Sequence, residues 1–387
     1  MVPVRYNLRS LAVRKATTFA TTLGIGLVVF VLSSALMLSE GIRKTLGVSG
    51  RDDIAIVLRK GADNELSSSI EDPNVGLVGA QVGVKKQDGK ALSVAEFVVV
   101  MAMEKIGADG VTNVQIRGVQ DEVFKFRPTV KVVAGRAPRP GSDEAMIGKR
   151  IRGRFNGVDL GQSFELRKNR SMNVVGVFED GGSSYESEIW ADVDTVRSAF
   201  GSEGLRSSVR VQLESADRFD AFQAAVEQDK RLGFQALRET TYYEKLSENT
   251  SLFVSMLGGI VSVFFAMGAV IGAAITMYAA VAHRQREIGV LRALGFSRGA
   301  ILFSFVSEAI FLSMFGGLLG VLASLAMGSL KFSMMNFASW SEIVFSLEPT
   351  AGVIMTVLLF SFGMGLLGGF LPALRASRVS PVAAMRG

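Results

Sequence analysis

Cysteine is absent from this sequence of 387 residues, and histidine occurs once, at His283. Without cysteine there is no disulfide, thiol nucleophile or thiolate metal site, and one histidine excludes a histidine-rich metal centre. The charged region from about residue 40 to 250 holds no histidine, so a nucleophile–histidine–acid set cannot be assembled there. We therefore expect no catalytic site and no metal site in this chain.

Charged side chains are nearly missing from four long stretches of the sequence. Hydrophobic residues make up 49% of the chain, and the mean hydropathy is +0.34. A helix of about 20 apolar residues crosses the roughly 30 Å of hydrocarbon in a bilayer. The sequence therefore predicts an α-helical membrane protein with four transmembrane helices, at residues 17–39, 251–282, 300–330 and 350–372.

The first apolar stretch has a competing interpretation, because a basic segment before an apolar run is also typical of a cleaved signal peptide. Its length and the lack of a clean small-x-small pattern before Glu40 favour an uncleaved membrane anchor. In residues 1–16, Val4, Leu8, Leu11 and Val13 lie among basic groups, a spacing that predicts an amphipathic helix in the membrane interface. A plain cytoplasmic flank is the alternative.

Positive charge is concentrated beside the spans. The net charge is +6, and basic residues precede the first span, fill the connection between the second and third, and follow the fourth. The positive-inside rule places such segments in the cytoplasm. We predict cytoplasmic termini, a cytoplasmic loop at 283–299 and a tail at 373–387, with residues 40–250 and a short loop at 331–349 outside. Because topology explains the basic composition, no nucleic-acid partner is expected.

About 210 residues lie between the first two spans, enough for a folded domain with its own core. Alternating and β-branched runs predict strands near 53–58, 111–119, 163–167, 172–178, 188–193 and 208–213. Helical patterns lie near 92–106, 143–154, 192–201 and 215–229. The prediction is a large extracytoplasmic α+β domain, in two lobes, inserted between helices 1 and 2.

The carboxylates of this domain are scattered, and its DEAM and ESE clusters lack the ligand spacing of a calcium loop. We interpret them as solvated surface charge. The domain is therefore expected to bind a partner or transmit force, and not to catalyse a reaction.

Three spans contain glycines four residues apart, a spacing suited to close helix contact. The pairs are Gly268 with Gly272, Gly316 with Gly320, and Gly365 with Gly369. Because the chain has 42 glycines, such pairs also arise by chance. Packing within one copy is preferred to a dimer face.

Glu308 lies inside the third span, about 12 Å from its start at about 1.5 Å per residue. An ionisable group at that depth is costly and usually faces the bundle interior or water. We interpret it as a hydrogen-bonded packing group. A coupling element, or a contact to the basic N-terminal segment, is the alternative.

The loop after the second span has the pattern of a short amphipathic helix. A helix over about 281–294 would continue that span and end at Gly295, with Ser297 as the N-cap of the third. Ile288, Leu291 and Leu294 recur at three-residue spacing, share one face and offer a docking surface. A basic loop that only fixes topology is the alternative, and it leaves this apolar face unexplained.

The run REIGVLRALGFSRGAILFSFVSEAIFLSMFGGLLG, which begins at Arg286, closely resembles the signature of the FtsX/MacB-type permeases of ABC transporters. The C-terminal LPALRASRVSPVAAMRG resembles the closing motif of the family, and NLRSLAVRKATTFATTLGIGL resembles its opening. A weaker similarity extends through the external region from VQIRGV to EIWADV. Ala383 departs from the pattern, because the family often has a carboxylate there.

The resemblance implies a four-span permease of the mechanotransmission type that works as a dimer with two cytoplasmic ATPase subunits. It also implies that the loop between the second and third spans carries the coupling helix that docks on the ATPase. The positions that match are Arg286, Glu287, Ile288, Leu291, Arg292 and Leu294.

The sequence has no GxxxxGK[ST] phosphate loop, so ATP and Mg²⁺ would be bound by a separate subunit and no cofactor by this chain. Other implied partners are a second permease copy or a similar permease, membrane lipid, and a periplasmic adaptor with an outer-membrane channel.

We predict one function from these observations, and two alternatives stay open. ATP hydrolysis by the partner would move the external domain and drive export or extraction of a substrate from the periplasm or outer leaflet. One alternative is a lipoprotein-release permease subunit of the inner membrane. Another is a regulator that activates a cell-wall hydrolase and transports nothing, although the size of the external region argues mildly against it.

Overall fold

The protein is described by a computed structural model over residues 15–107 and 110–380. Its helices are α1 (Lys15–Gly47), α2 (Asp72–Gly79), α3 (Val123–Phe126), α4 (Val193–Ala199), α5 (Phe219–Gln228), α6 (Glu239–His283), α7 (Gln285–Ala293), α8 (Arg298–Ala326) and α9 (Ala351–Ser377). The predicted interfacial segment lies outside the described residues except for its last two, and so does Ala383.

The strands alternate with these helices between α1 and α6, and a last pair follows α8. They are β1 (Ile54–Arg59), β2 (Ile70–Glu71), β3 (Lys86–Gln87), β4 (Lys90–Ala91), β5 (Ser93–Glu104), β6 (Val111–Val119), β7 (Lys131–Gly135), β8 (Glu144–Gly148), β9 (Ser163–Arg167), β10 (Arg170–Glu179), β11 (Glu188–Asp192), β12 (Leu205–Arg206), β13 (Ser208–Gln212), β14 (Phe234–Arg238), β15 (Lys331–Asn336) and β16 (Ser341–Ser346).

The described chain forms two compact units. The helical unit lies within residues 15–40, 252–330 and 347–380, and the sheet unit comprises Gly41–Ser251 and Lys331–Ser346. Four described helices, α1, α6, α8 and α9, are long and apolar enough to cross a membrane. The predicted fold class, four membrane helices with an α+β domain between the first two, is confirmed.

Glycines allow the helices of the helical unit to approach backbone to backbone. A Cβ on Gly320 of α8 would lie 2.4 Å from the carbonyl oxygen of Gly26 in α1, and one on Gly316 would lie 2.6 Å from that of Thr22. In α9, a Cβ on Gly365 would lie 2.1 Å from the Oγ of Ser313 in α8. These contacts leave no room for a side chain at the α1–α8 and α8–α9 crossings.

The other three predicted glycines differ in their surroundings, because Gly369 is closely packed and Gly268 and Gly272 are not. A Cβ on Gly369 would lie 2.3 Å from the Cβ of Ala309. Among the described residues, by contrast, no heavy atom lies within 4 Å of a Cβ built on Gly268 or Gly272. Both line a groove of about 420 Å³ between α1 and α6, so this pair makes no close contact within the described copy.

The sheet unit is organised around a ten-stranded sheet in the order β14-β1-β13-β5-β6-β11-β8-β10-β7, with β9 paired to β10. The β6–β11 and β8–β10 pairs are parallel. Two of the apolar cores formed by the described residues pack against opposite parts of the strand order. The first includes Ile116, Ile147 and Phe155, and the second includes Val209 and Phe222.

Two helices predicted in this unit are strands. Residues 92–106 contain β5, a strand of 12 residues between β13 and β6, and residues 143–154 contain β8 and turns. Short apolar runs do not distinguish a helix from a buried strand by periodicity alone. In β5 the consecutive valines Val98, Val99 and Val100 favour the pleated conformation, and hydrogen bonding on both sides decides it.

The connection predicted as a short external loop at 331–349 forms the hairpin β15–β16, which belongs to the sheet unit. Glu342 receives ion pairs of 2.6 Å from both Lys105 and Arg154. Val344 is fully buried in the first core. The sheet unit is therefore assembled from two segments that are far apart in the sequence.

Seven charged residues form an ionic network inside the sheet unit, and none of these residues is more than 5% exposed. They are Glu65, Glu96, Arg117, Arg127, Glu188, Arg210 and Glu239. The interpretation of the ESE cluster as solvated surface charge is wrong, because Glu186 and Glu188 are both buried. Glu186 and Glu188 form ion pairs with arginines that are far away in the sequence, and only folding brings these arginines close to them.

The arginines of the network affect the pKa values of Glu65 and Glu188 differently. Burial raises the pKa of Glu65, but the charges of Arg117 and Arg210 outweigh burial and hold that pKa well below its usual range. Burial also raises the pKa of Glu188, and there the opposing charge of Arg117 does not reverse the shift. The carboxylate of Glu65 is therefore the better stabilised of the two.

Replacing Glu65 by glutamine should lower the free energy of unfolding by about 3 kcal/mol at neutral pH, because it breaks a buried ion pair. A folded-state pKa below the unfolded value means that the stabilisation is present above about pH 4.5 and is lost as the pH falls through the folded pKa. We expect a constant difference from wild type between about pH 6 and 8 that shrinks below about pH 4. Denaturant unfolding of the full chain in detergent, followed by tryptophan fluorescence, measures it.

The matched control is Asp159→Asn, which removes an exposed ion pair with Arg152 and should cost less than about 1 kcal/mol. If the decrease in the unfolding free energy of Glu65→Gln does not vary with pH, the Glu65 side chain acts through packing and not through its charge.

Replacing Gly320 by alanine should destabilise the helical unit by about 1–3 kcal/mol, because the added methyl group meets the backbone of α1. The control is Gly363→Ala in α9, where no described atom lies within 4 Å of the new Cβ. Alanine is favoured over glycine inside a helix by up to about 1 kcal/mol, so the control should be neutral or stabilised. Unfolding in detergent, followed by circular dichroism, compares them, and equal stability of the two variants would contradict close packing at Gly320.

Candidate functional site

The helix predicted over residues 281–294 is broken at Arg284. Its φ and ψ are −105° and 12°, and it separates α6 from α7. The carbonyl oxygen of Arg284 accepts the backbone N–H of Ile288 at 2.9 Å, which closes the first turn of α7. The prediction of one continuous helix is therefore wrong at this residue, and α7 is a separate element joined to α6 by a single residue.

The side chain of Arg284 forms an ion pair with Glu308 of α8, with 3.1 Å between Nη1 and Oε2. Both residues are less than 8% exposed. The Arg284 guanidinium also lies 5.8 Å from the centre of the Phe305 ring. Glu308, which we interpreted as a hydrogen-bonded packing group, thus contacts the residue at which the chain turns from α6 into α7.

The inner face of α7 packs on the helical unit. Ile288 is 1% exposed and belongs to an apolar cluster with Ile301, Phe305 and Ala373, and Leu291 packs against its edge. The expected docking surface of Ile288, Leu291 and Leu294 is therefore not formed. Burial of Ile288 and Leu291 removes apolar area from water, and this determines which side of the helix faces the bundle.

The opposite side of α7 is exposed and partly apolar. Val290 is 50% exposed and Leu294, the C-cap, is 72% exposed, while Arg286, Glu287 and Ala293 are exposed beside them. Because Arg286, Val290 and Leu294 are spaced four residues apart, they lie on one side of the helix. We call these five residues the outer face of α7.

The end of α7 is held by a tight turn. Arg292 donates from Nη1 to the carbonyl oxygen of Phe296 at 3.1 Å. Gly295 has φ of +94°, a conformation that favours glycine. The Oγ of Ser297 accepts the backbone N–H of Ala300 at 3.2 Å and caps α8. Arg292, Gly295 and Ser297 therefore shape the turn, and do not belong to the outer face.

The outer face of α7 offers a surface for binding. Within residues 15–107 and 110–380, no three histidine, cysteine, aspartate or glutamate side chains are grouped so that they could hold a metal ion. The outer face presents two aliphatic side chains next to an arginine and a glutamate. Such a surface is suited to an amphipathic groove on another protein.

Neither Val290 nor Arg284 was assigned to the candidate site from the sequence. The three-residue spacing of Ile288, Leu291 and Leu294 indicated the inner face, whereas the side that the structure exposes follows the four-residue spacing from Arg286 to Val290 to Leu294. The signal for Arg284 was Glu308, because a carboxylate within a span requires a partner.

Comparison with known proteins gives two family matches. Residues 17–229 match the MacB-like periplasmic core domain, and residues 259–381 match the FtsX-like permease C-terminal domain. Together the two matches cover most of both compact units, including α7 and α8, while residues 230–258, which contain β14 and the start of α6, lie between them.

Three relatives illustrate the similarity. The chain is 26% identical to the uncharacterized ABC transporter permease YvrN of Bacillus subtilis, over 99% of this chain and 98% of that protein. It is 26% identical to the macrolide export ATP-binding/permease protein MacB 2 of Aeromonas hydrophila, over 98% of this chain and 60% of that protein. With the uncharacterized ABC transporter permease MJ1507 of Methanocaldococcus jannaschii the identity is 26%, over 57% of this chain and 56% of that protein. The chain thus spans almost all of the first relative and less than two thirds of the other two.

Replacing Glu308 by alanine should lower the stability of the helical unit by about 3 kcal/mol, because it removes a buried carboxylate from a buried arginine. The double variant Glu308→Leu with Arg284→Met replaces both charges by apolar groups and should recover most of that loss. Unfolding in detergent measures both variants. If the double variant is as unstable as Glu308→Ala, the unpaired charge does not account for the cost.

Proposed function

This chain belongs to the MacB/FtsX family of ABC transporter permeases, and we propose that it couples ATP hydrolysis by a separate cytoplasmic ATPase to movement of its extracytoplasmic domain. This movement drives export or extraction of a substrate from the periplasm or the outer leaflet. The protein is a membrane protein with four candidate spans. Its proposed location is the inner membrane, with both termini and the 283–299 segment in the cytoplasm.

The assignment of ATP to a partner has two supports. The sequence has no GxxxxGK[ST] phosphate loop, and the relative YvrN, which aligns over almost its whole length, is described as a permease. In this proposal the chain itself performs no catalysis and binds no cofactor. ATP and Mg²⁺ are bound by two ATPase subunits.

The observation that carries the proposal is the outer face of α7. Val290 and Leu294 remain exposed although Ile288 and Leu291 are tied into the bundle. We propose that the ATPase accepts these two side chains in an apolar groove, with Arg286 and Glu287 at the polar rim. The ion pair of Arg284 and Glu308 positions α7 for this contact.

The complex is proposed to contain a second permease, either another copy or a similar chain. The open groove at Gly268 and Gly272 supports a helix contact there, because small residues allow close approach of a helix from another subunit. A periplasmic adaptor with an outer-membrane channel is a further proposed partner, together with membrane lipid. The lipoprotein-release and regulatory alternatives are compatible with the same α7 contact, and they differ in what the external domain acts on and in whether a substrate is transported.

The variants Val290→Asp and Leu294→Asp should lower the amount of ATPase that co-purifies with the chain by at least about tenfold, as expected when a central apolar contact is lost. Gln285→Asp is the matched control, because Gln285 is exposed on α7 but lies outside the outer face. The ATPase is identified by mass spectrometry after purification of the tagged chain from native membranes. Membrane insertion should be the same in all three variants.

Ile288→Asp separates docking from folding, since Ile288 is buried in the helical unit and its replacement should reduce the yield of folded protein. Wild-type levels of ATPase on Val290→Asp and Leu294→Asp would disprove the docking assignment. If the wild-type chain retains no ATPase at all, the proposed function itself is wrong.

A further inference from the structure

Helix α6, which contains the second candidate span, begins inside the ionic network. Its first residue, Glu239, is completely buried. The Glu239 carboxylate accepts the Nε of Arg210 at 2.9 Å, the backbone N–H of Arg51 at 3.2 Å and a short contact from Nη2 of Arg127. A carboxylate is also favoured at a helix N-terminus, where the helix dipole is positive.

The three donors come from separate parts of the sheet unit. Arg210 lies on β13, which is paired with β1 on one side and β5 on the other. Arg127 follows α3, and Arg51 precedes β1. One carboxylate on α6 is thus held by a central strand and by two loops.

From Arg210 the network continues across the sheet. Arg210 and Arg117 share the carboxylate of Glu65, with Nη1–Oε1 distances of 2.9 Å to each, and they also share Glu96. Arg117 then contacts Glu188 at 2.7 Å. The chain of contacts runs across β13, β5, β6 and β11, which are four neighbouring strands.

Two tyrosines hold the first turns of α6 in the same place. The hydroxyl of Tyr243 donates to that of Tyr185 at 2.6 Å, and Tyr185 lies under the guanidinium of Arg127 at 4.5 Å. The hydroxyl of Tyr242 accepts the backbone N–H of Glu65 at 3.3 Å. Tyr242 thus joins α6 to Glu65, which is a member of the network, and Tyr243 joins α6 to Tyr185, which packs on Arg127 of the network.

Burial of seven charged side chains carries a large desolvation cost for the domain. In the described part of the chain, the Nη2 of Arg210 and the Oε1 of Glu96 are buried without a hydrogen-bond partner. Apolar residues of similar volume are often as stabilising as a buried ion pair or more so. What the charges provide is directional contacts, which fix one position of α6 on the strands.

We propose that Glu239 is a positioning residue that fastens the first turn of α6 to the four central strands, so that force along α6 passes to the sheet through Arg210 and Arg127. This inference rests on the proposed function, because it requires that the ATPase moves the helix. It assigns the transfer of force to the first residue of α6, which lies outside the α7 site.

The test compares Glu239→Gln with Glu65→Gln. Both variants remove one buried carboxylate charge from the same network, but only Glu239 lies on α6. The full chain with its co-purified ATPase is placed in nanodiscs of phosphatidylethanolamine and phosphatidylglycerol. Hydrogen–deuterium exchange of β13 and β5 is measured without nucleotide and with ATP, Mg²⁺ and vanadate.

In the wild type, the trapped nucleotide state should change the exchange of β13 and β5. Glu65→Gln should keep most of this change, and Glu239→Gln should lose more than half of it, although both variants have a lower Tm. Arg127→Gln removes a donor from the Glu239 carboxylate and should show a similar loss, which provides a second variant if Glu239→Gln does not fold.

A disulfide separates a loss of attachment from general destabilisation. Thr240 in the first turn of α6 donates its hydroxyl to the Oδ1 of Asp52 at 2.9 Å, and the chain has no cysteine of its own. Cysteines at positions 52 and 240 (D52C and T240C), added to Glu239→Gln, should restore the nucleotide-dependent change when oxidised and lose it when reduced. Mass spectrometry verifies the bond.

Two results would overturn the inference. One is a wild-type response in both Glu239→Gln and Arg127→Gln, and the other is a response that does not differ between the oxidised and reduced disulfide variant. A wild-type complex that shows no exchange change, or that contains no ATPase, would instead contradict the proposed function and the inference that depends on it.

Discussion

The pairing of guanidinium and carboxylate groups away from water is the interaction on which this structure depends in both units. In the helical unit, Arg284 and Glu308 join the start of α7 to α8. In the sheet unit, Arg210 and Glu239 join the start of α6 to the central strands. A buried charge without a partner is far more costly than one that is paired, so each pair restricts where its helix can lie. Both pairs are placed where a helix begins, which is where its direction is set.

Apolar packing has a different role in the same molecule. It determines that Ile288 and Leu291 face the bundle, and as a result Val290 and Leu294 face outward. The outer face is exposed because the inner face is buried against the bundle. The ATPase contact that we propose uses the residues that folding leaves exposed. Backbone contacts at Gly316, Gly320 and Gly365 hold the bundle to which α7 is attached.

Much of the architecture was predictable from the sequence. Water is excluded from hydrocarbon, so four apolar stretches of sufficient length indicate four spanning helices regardless of their neighbours. Strands such as β6 and β9, whose residues 111–119 and 163–167 were predicted, have local patterns that agree with their final environment. The family was also recognisable, because the run from Arg286 onward keeps its motif in an uninterrupted segment.

The sequence by itself determined the spans, the family and the short segment between α6 and α8 in which the candidate site lies. Only the tertiary structure decided which side of α7 is exposed, that residues 93–104 form a strand, and that the carboxylates of Glu188 and Glu239 are buried with arginines. The physical reason is distance along the chain. A span or a motif is a property of consecutive residues, whereas a helix face, a central strand and a buried ion pair each depend on partners that only folding brings near.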